Sequence, residues 1–162
     1  MQTDLEKRLR SIEDRLEIYQ LVTGYGYAVD GLNAEAVGNC YMGDGVYALG
    51  DDRAYRGRDH IAGITGEEQH LGYVAGGCAH ISTVPYIVVE GDRAVATCHT
   101  MVARHRGDGF YIARLSASRL ELARDEGAKW RIAHRQNYLL DGDPAAPALL
   151  GRLDEGPSAA SS

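Results

Sequence analysis

Apolar residues recur along the start of the chain with a helical period. Leu5, Leu9, Ile12, Leu16 and Tyr19 follow one another at alternating four- and three-residue steps, which places them in one stripe on a helix. The stripe then passes to Ile18, Leu21, Val22, Tyr25 and Val29 as the segment loses its charges. This spacing predicts a helix over 4–29. Thr3 and Glu6 stand at capping-box spacing, each able to satisfy a backbone N–H of the first turn, and Gly31 is a fitting C-cap. A shorter helix over 33–41 is expected next, with Asn33 as its N-cap.

From Gly45 the texture changes. VYALG and RAYRG, separated by Asp51 and Asp52, predict a short hairpin, and 58–70 a third helix weakened by Gly63 and Gly66. Four β-rich stretches follow, 78–90, 93–105, 110–124 and 129–140, divided by the short Gly-bearing separators EGDR, RGDG and DEGA, as hairpin turns require. Strands of that length bend. Helices followed by a long meander predict an α+β fold, a curved antiparallel sheet wrapped around N-terminal helices. One domain over 1–140 is expected, and the Ala-, Pro-, Gly- and Ser-rich tail 141–162 is expected to fray.

Composition narrows the functional classes. The 23 acidic residues against 17 Lys plus Arg give a net charge of −6, which argues against a nucleic-acid partner. No run approaches the length of a membrane span, and the charged N-terminus does not read as a secretory signal. Cys40, Cys78 and Cys98 form an odd set without a C-x-x-C pair, so reduced thiols in a cytoplasmic protein are expected. The chain contains neither a phosphate loop nor a dinucleotide fingerprint, nor the elbow of a serine hydrolase. Its six His show no H-x-x-x-H pair. Neither a metal nor a cofactor is therefore expected.

Ten Tyr against one Phe and one Trp stand out. Buried phenols need partners for their hydroxyls or a cavity to face, so a polar-lined pocket is one explanation. The strand pattern offers such a face. With Gly91-Asp92 as a two-residue turn, Glu90 faces Arg93, His80 faces Ala103 and Val84 faces His99. Strand alternation then puts His80, His99, Met101 and His105 on one side, with Ser82, Val84 and Tyr86. Ile81, Ile87, Val89 and Val102 fall on the other. Asp30 ends the apolar helix, beside the partial negative charge of its C-terminus, where a carboxylate is disfavoured unless a cation or imidazolium pairs with it. Asp-Gly ends many helices with a solvated side chain, and spacing alone favours that reading. Tyr27 shares the helical face of Asp30, whereas Tyr25 is rotated from it by about 140°.

The combination of Tyr25-GYAV-Asp30 at the end of a long helix, GCA-His80 opening a strand and KWRI (Lys129 to Ile132) closing a meander resembles the SnoaL-like branch of the nuclear transport factor 2-like superfamily. Its scytalone dehydratase, bile acid dehydratase and hexachlorocyclohexane dehydrochlorinase members are the most similar. The resemblance spans residues 5–140 and implies a cone-shaped α+β barrel closing a pocket. It implies an Asp–His dyad, Asp30 with His80, that removes a proton from carbon, and catalytic roles for His105 and Tyr25. His99 matches a further histidine of the dehydratases. Tyr27, Tyr47, Tyr86, His99 and Met101 are expected to line the pocket, with Tyr138 on the same side. The remaining tyrosines, Tyr19, Tyr41, Tyr55, Tyr73 and Tyr111, are expected in packing or at the surface. Two positions depart from the pattern: Arg119 stands in place of an Asn, and Tyr138 or Leu139 in place of an Arg. The implied activity is a cofactor-free lyase or isomerase acting on a small hydrophobic cyclic hydroxy-ketone, steroid or polyketide-type molecule. A non-catalytic binding or assembly domain and a polyketide cyclase remain open at this point. Homo-oligomers are also implied, trimers before dimers, built through the sheet.

Overall fold

The computed structural model describes residues 3–158. Helix α1 (Asp4–Asp30) carries the capping box, with Thr3 Oγ1 accepting from Glu6 N–H at 3.2 Å and Glu6 Oε2 from Thr3 N–H at 2.7 Å. Helix α2 (Ala34–Asn39) is capped by the Asn33 side chain and ends earlier than expected, because Tyr41 already opens a strand. The strands are β1 (Tyr41–Leu49) and β2 (Arg53–Arg56). The expected third helix is divided: α3 (Arg58–Gly63), a 3₁₀ turn over Ile64–Gly66, and α4 (Glu68–Gly76). After it come β3 (Cys78–Ser82), β4 (Tyr86–Glu90), β5 (Arg93–Arg106), β6 (Gly109–Arg124) and β7 (Trp130–Leu139). The C-terminal α5 spans Ala145–Gly151.

The seven strands form one sheet in the order β2-β1-β7-β6-β5-β3, with β4 also paired to β5. The meander is antiparallel as expected, but β1 runs parallel to β7, so the sheet is mixed. Its concave face packs on α1, and Ile18, Val22, Val29, Leu120, Leu122 and Ile132 are fully or almost fully buried there. Asp14 on that same buried side of α1 is held by Arg124, and it accepts from Trp130 Nε1 at 3.3 Å. No described helix is long and apolar enough to cross a membrane.

The C-terminal segment differs from the expected frayed tail. Ala146 and Leu149 of α5 pack on Ala117, and the Arg119 guanidinium donates to the carbonyls of Arg152 and Glu155 at 3.0 and 2.9 Å. Arg119 thus acts on the outer face of the sheet as a clamp for this segment. Residues 159–162, part of the same expectation, lie outside the described residues.

Register decides which side chains enter the molecule. β4 pairs with β5 as expected, Glu90 opposite Arg93. The stretch 78–90 is interrupted, however, at Thr83–Pro85, and β3 resumes pairing one residue out of step: His80 lies opposite Val102, not Ala103. Pro85 cannot donate to a ladder, which makes this the natural place for the break. A one-residue slip moves a strand's side chains to the other face. His80 therefore joins the inner face with Val102, Ile87 and Val89, while His99, His105 and Tyr86 stay outside. Of the apolar set assigned to an outer, oligomer-forming face, Ile81 alone is exposed.

Candidate active site

Asp30 and His80 meet where the end of α1 crosses the edge of the sheet. β3 is a terminal strand, so its outward N–H groups have no ladder partner. Asp30 Oδ2 accepts the His80 backbone N–H at 2.7 Å, and Oδ1 accepts from the ring Nδ1 at 2.6 Å. A carboxylate only accepts, so Nδ1 carries the proton and Nε2 is the unprotonated nitrogen of the neutral ring. The approach is possible because residue 26 is glycine: a Cβ there would stand 2.1 Å from the His80 carbonyl oxygen.

Burial pushes the Asp30 carboxyl up, but the hydrogen bonds from the His80 ring and backbone, its charge and the Cys78 thiol outweigh that, and the pKa falls below the ordinary value. The helix-end penalty expected for this carboxylate is thus offset by its imidazole partner. The Cys78 thiol, 3.6 Å from Asp30 Oδ1, is pushed up to about 11 by burial and then by Asp30. Donor atoms of Asp30, Cys78 and His80 lie within 4.8 Å of one another. The 2.6 Å Nδ1–Oδ1 contact is a hydrogen bond; two ligands of a tetrahedral zinc at about 2.0 Å sit roughly 3.3 Å apart. As placed, these groups are set to share a proton rather than a metal.

The dyad opens on a cavity with two adjoining lobes of about 70 and 20 Å³. Tyr25, Tyr47, His80 and Arg114 line both. Val29, Tyr55, His70 and Tyr73 enclose the larger lobe, and Thr100, Met101, Val102 and Arg135 the smaller. Tyr73, Val102 and Arg114 also border an open groove of about 520 Å³, which gives the cavity a way out.

Three of these residues were not expected from the sequence. Arg135 is buried and sits 4.7 Å from the ring centres of both Tyr25 and Tyr47. Its Nε donates to Asn137 Oδ1 at 3.3 Å and Ser118 Oγ at 3.4 Å, and among the described residues it makes no ion pair with a carboxylate. Burial works against its charge, but the surrounding Tyr47, Tyr41, Tyr25 and Cys98 outweigh that and hold its pKa above the ordinary value. Continuous alternation from Trp130 and Ile132 would have turned it outward; a bulge at Ala133 turns Arg135 and Asn137 in. His70 comes from α4, its ring centre 5.5 Å from that of His80. Its Nε2 donates to the Val29 carbonyl at 2.9 Å, leaving Nδ1 as an acceptor. Arg114 turns inward opposite Val102, beside a second bulge at Ala113.

Of the residues singled out by sequence, the structure brings the side chains of Asp30, His80, Tyr25 and Tyr47 to this place, while Met101 borders the smaller lobe from the outward-facing row of β5 that it shares with His99. Burial, then Tyr47 and Tyr41, raise Tyr25 well above the ordinary phenol range, so it is a proton-bearing donor through neutral pH. Four others lie elsewhere. His105 is exposed on the opposite face, 5.2 Å from Phe110, and His99 is exposed beside Thr83. Tyr86, on β4 in its expected register, stays on the outer face that the slip took His80 away from, and donates to Asp154 Oδ1 at 3.0 Å. Tyr27 shares the helical face of Asp30, but at its own level that face meets solvent. Tyr138 lies outside as well, donating to Asp51 at 2.6 Å. Conversely Tyr55 and Tyr73, expected in packing or at the surface, line the cavity.

A family profile described as the SnoaL-like domain matches residues 10–136. The chain belongs to the SnoaL-like family. A solved relative, an NTF2-like protein with a cystatin-like fold from Novosphingobium aromaticivorans, is 39% identical over 93% of this chain and 98% of its own, with a TM-score of 0.86. At the level of the fold alone, this SnoaL-like chain also resembles Rv3472 of Mycobacterium tuberculosis, a protein of unknown function (22% identity, 93% and 90% of the two chains, TM-score 0.69). The same holds for a hexachlorocyclohexane dehydrochlorinase from Novosphingobium barchaimii (12% identity, 82% and 90%, TM-score 0.69). No curated protein matches the chain.

Proposed function

We propose that this SnoaL-like protein is a lyase or isomerase that starts its reaction by removing a proton from carbon with His80. The observation that carries the reading is the double contact of Asp30 with His80, 2.6 Å to the ring and 2.7 Å to the backbone, at the wall of a small cavity. Fixing Nδ1–H leaves Nε2 as the base and favours the imidazolium that forms when it takes the proton. The electrons of the broken C–H bond move into an adjacent carbonyl. The cation of Arg135 and the phenolic donor of Tyr25, both buried, are the groups available to stabilise the oxyanion. Expulsion of a hydroxyl from the neighbouring carbon, which takes the proton back from the His80 imidazolium and leaves as water, completes a dehydration and returns His80 to its neutral form. Return of the proton to another carbon completes an isomerisation.

His105 has no part in this scheme: the His80 imidazolium returns the proton, and the Tyr25 phenol only donates a hydrogen bond. Cavity size supports a compact substrate. Lobes of about 70 and 20 Å³ suit one small oxygenated ring far better than a steroid, since pockets for drug-sized ligands run to roughly 300 Å³ or more. The test is a panel of single-ring β-hydroxyketones assayed for loss of water or double-bond migration, with wild type and His80→Ala side by side. Turnover abolished by the substitution supports the reading. Tight binding without any turnover in the wild type makes the protein a binding module instead.

A further inference from the structure

The N-terminal part of α1 does not pack on its own domain. Every residue from Thr3 to Glu13 is exposed, and the first buried position is Asp14. A helical segment of that length has little stability alone, because helices are held mainly by packing of an apolar face. Such a face exists and is uncovered: Leu5, Leu9, Ile12, Leu16 and Tyr19 are 74, 53, 56, 59 and 40% exposed. On a helical wheel they centre about 140° from the buried side marked by Asp14, Ile18, Val22 and Tyr25.

Their spacing is that of a coiled-coil seam. Steps of four, three, four and three put Leu9 and Leu16 at a, and Leu5, Ile12 and Tyr19 at d. The flanks are then sorted by charge. Glu6, Glu13 and Gln20 occupy e, whereas Arg8 and Arg15 occupy g. In a parallel arrangement a g residue meets the e residue five positions on in its neighbour, so Arg8 meets Glu13, while Arg15 donates to the Ile87 carbonyl of its own domain at 2.6 Å. An antiparallel arrangement would set e against e and g against g, with like charges facing each other. The flanking charges therefore select a second copy of this chain, and select its direction.

We propose that copies of this protein associate through α1 as a parallel coiled coil. Leu at a with Ile at the central d shifts such bundles away from two strands, so a trimer is the expected state. Its seam is the helix rather than the sheet, and at its C-terminal end Leu16 and Tyr19 also border Val84, Pro85 and Ile87 of their own domain. Seams of neighbouring copies meet along the exposed stripe while each domain stays on the outside of its own helix.

Sedimentation of the full-length protein at tens of micromolar tests this. Wild type runs as a multiple of 17.6 kDa, with three copies expected. Glu13→Arg puts like charges against Arg8 of the neighbour and shifts the mass toward the monomer. The double variant Arg8→Glu/Glu13→Arg restores the assembly, which only a parallel seam predicts. Leu5→Cys forms an interchain disulfide on oxidation, because equal d positions face each other only in parallel helices. All the changed side chains are exposed, and Trp130 fluorescence verifies that each variant is folded. A monomeric wild type overturns the proposal. So does an assembly whose mass is indifferent to Leu9→Glu/Leu16→Glu, or a Leu5→Cys variant that does not cross-link.

Discussion

Replacing Asp30 by Asn separates charge from shape in the dyad. The two carboxylate oxygens accept from three donors, the His80 backbone N–H at 2.7 Å on Oδ2, and the ring Nδ1–H at 2.6 Å and the Cys78 thiol at 3.6 Å on Oδ1. An amide has one acceptor and one donor end. The backbone N–H cannot change its protonation, so the amide oxygen must serve it, which turns the NH₂ group toward Nδ1. The ring then moves its proton to Nε2, and the nitrogen facing the cavity can no longer take one. Losing a hydrogen bond to a charged group costs about 1.5–3 kcal/mol. Removing a carboxylate from a helix C-terminus returns about 0.3–1 kcal/mol. The net loss is about 1–2 kcal/mol, or roughly 2–8 °C in Tm for a domain of this size. The rate effect is much larger, about 10⁴-fold, as a wrong tautomer costs in serine-protease triads. The assay is ¹⁵N NMR of the imidazoles: wild-type His80 is protonated at Nδ1, and the Asp30→Asn protein at Nε2. An Nε2–H tautomer in the wild type, or the same tautomer in both proteins, refutes the reasoning.

Other consequences are as direct. Gly26→Ala brings a methyl 2.1 Å from the His80 carbonyl oxygen; separating α1 from β3 costs about 1–3 kcal/mol, and the Asp30–His80 contact lengthens, so activity falls further than thermal stability. Arg135→Met removes a buried cation without a carboxylate partner, so Tm changes by only a few degrees, while turnover drops by about 10²–10³ if the cation stabilises the oxyanion. Because the folded-state pKa of Asp30 is lowered from 3.8, its stabilisation is complete above that value and is lost as pH falls through the lower folded one. Acid unfolding of the wild type is therefore steeper below pH 3.8 than that of Asp30→Asn, and parallel curves would contradict it.

Much of this was readable from the chain, and the misses have local causes. α1 and its capping box follow from spacing and side-chain chemistry within a few residues, so they are legible without tertiary information. The meander is legible for the same reason, its turns being marked by EGD, RGD and EGA. Asp30 stood out because it ends α1, and His80 because it belongs to a histidine-bearing strand pattern and to the GCA-His80 motif. The side chains in between depend on register, which a single irregular residue can invert. The break at Thr83–Pro85 moved His80 away from His99, His105 and Tyr86, and the bulge at Ala133 brought Arg135 inward. Pro85 was a visible warning of the first. Nothing local marks Ala133. His70 was hidden differently: Gly63 and Gly66 divided the expected helix, and its second half, α4, aims the ring at Val29. Nothing in the spacing singles out Gly26, and only the crossing of β3 shows why no larger residue fits there.

The central claim is that His80 takes a proton from carbon. Solvent deuterium wash-in measures that step directly, even where no elimination follows. Single-ring ketones are incubated with the protein in D₂O near neutral pH, and deuterium at the α-carbon is followed by ¹H NMR. The wild type incorporates deuterium well above the buffer rate, and both His80→Ala and Asp30→Asn return it to the background. Incorporation at background in the wild type across the panel, or equal incorporation in His80→Ala, contradicts the account.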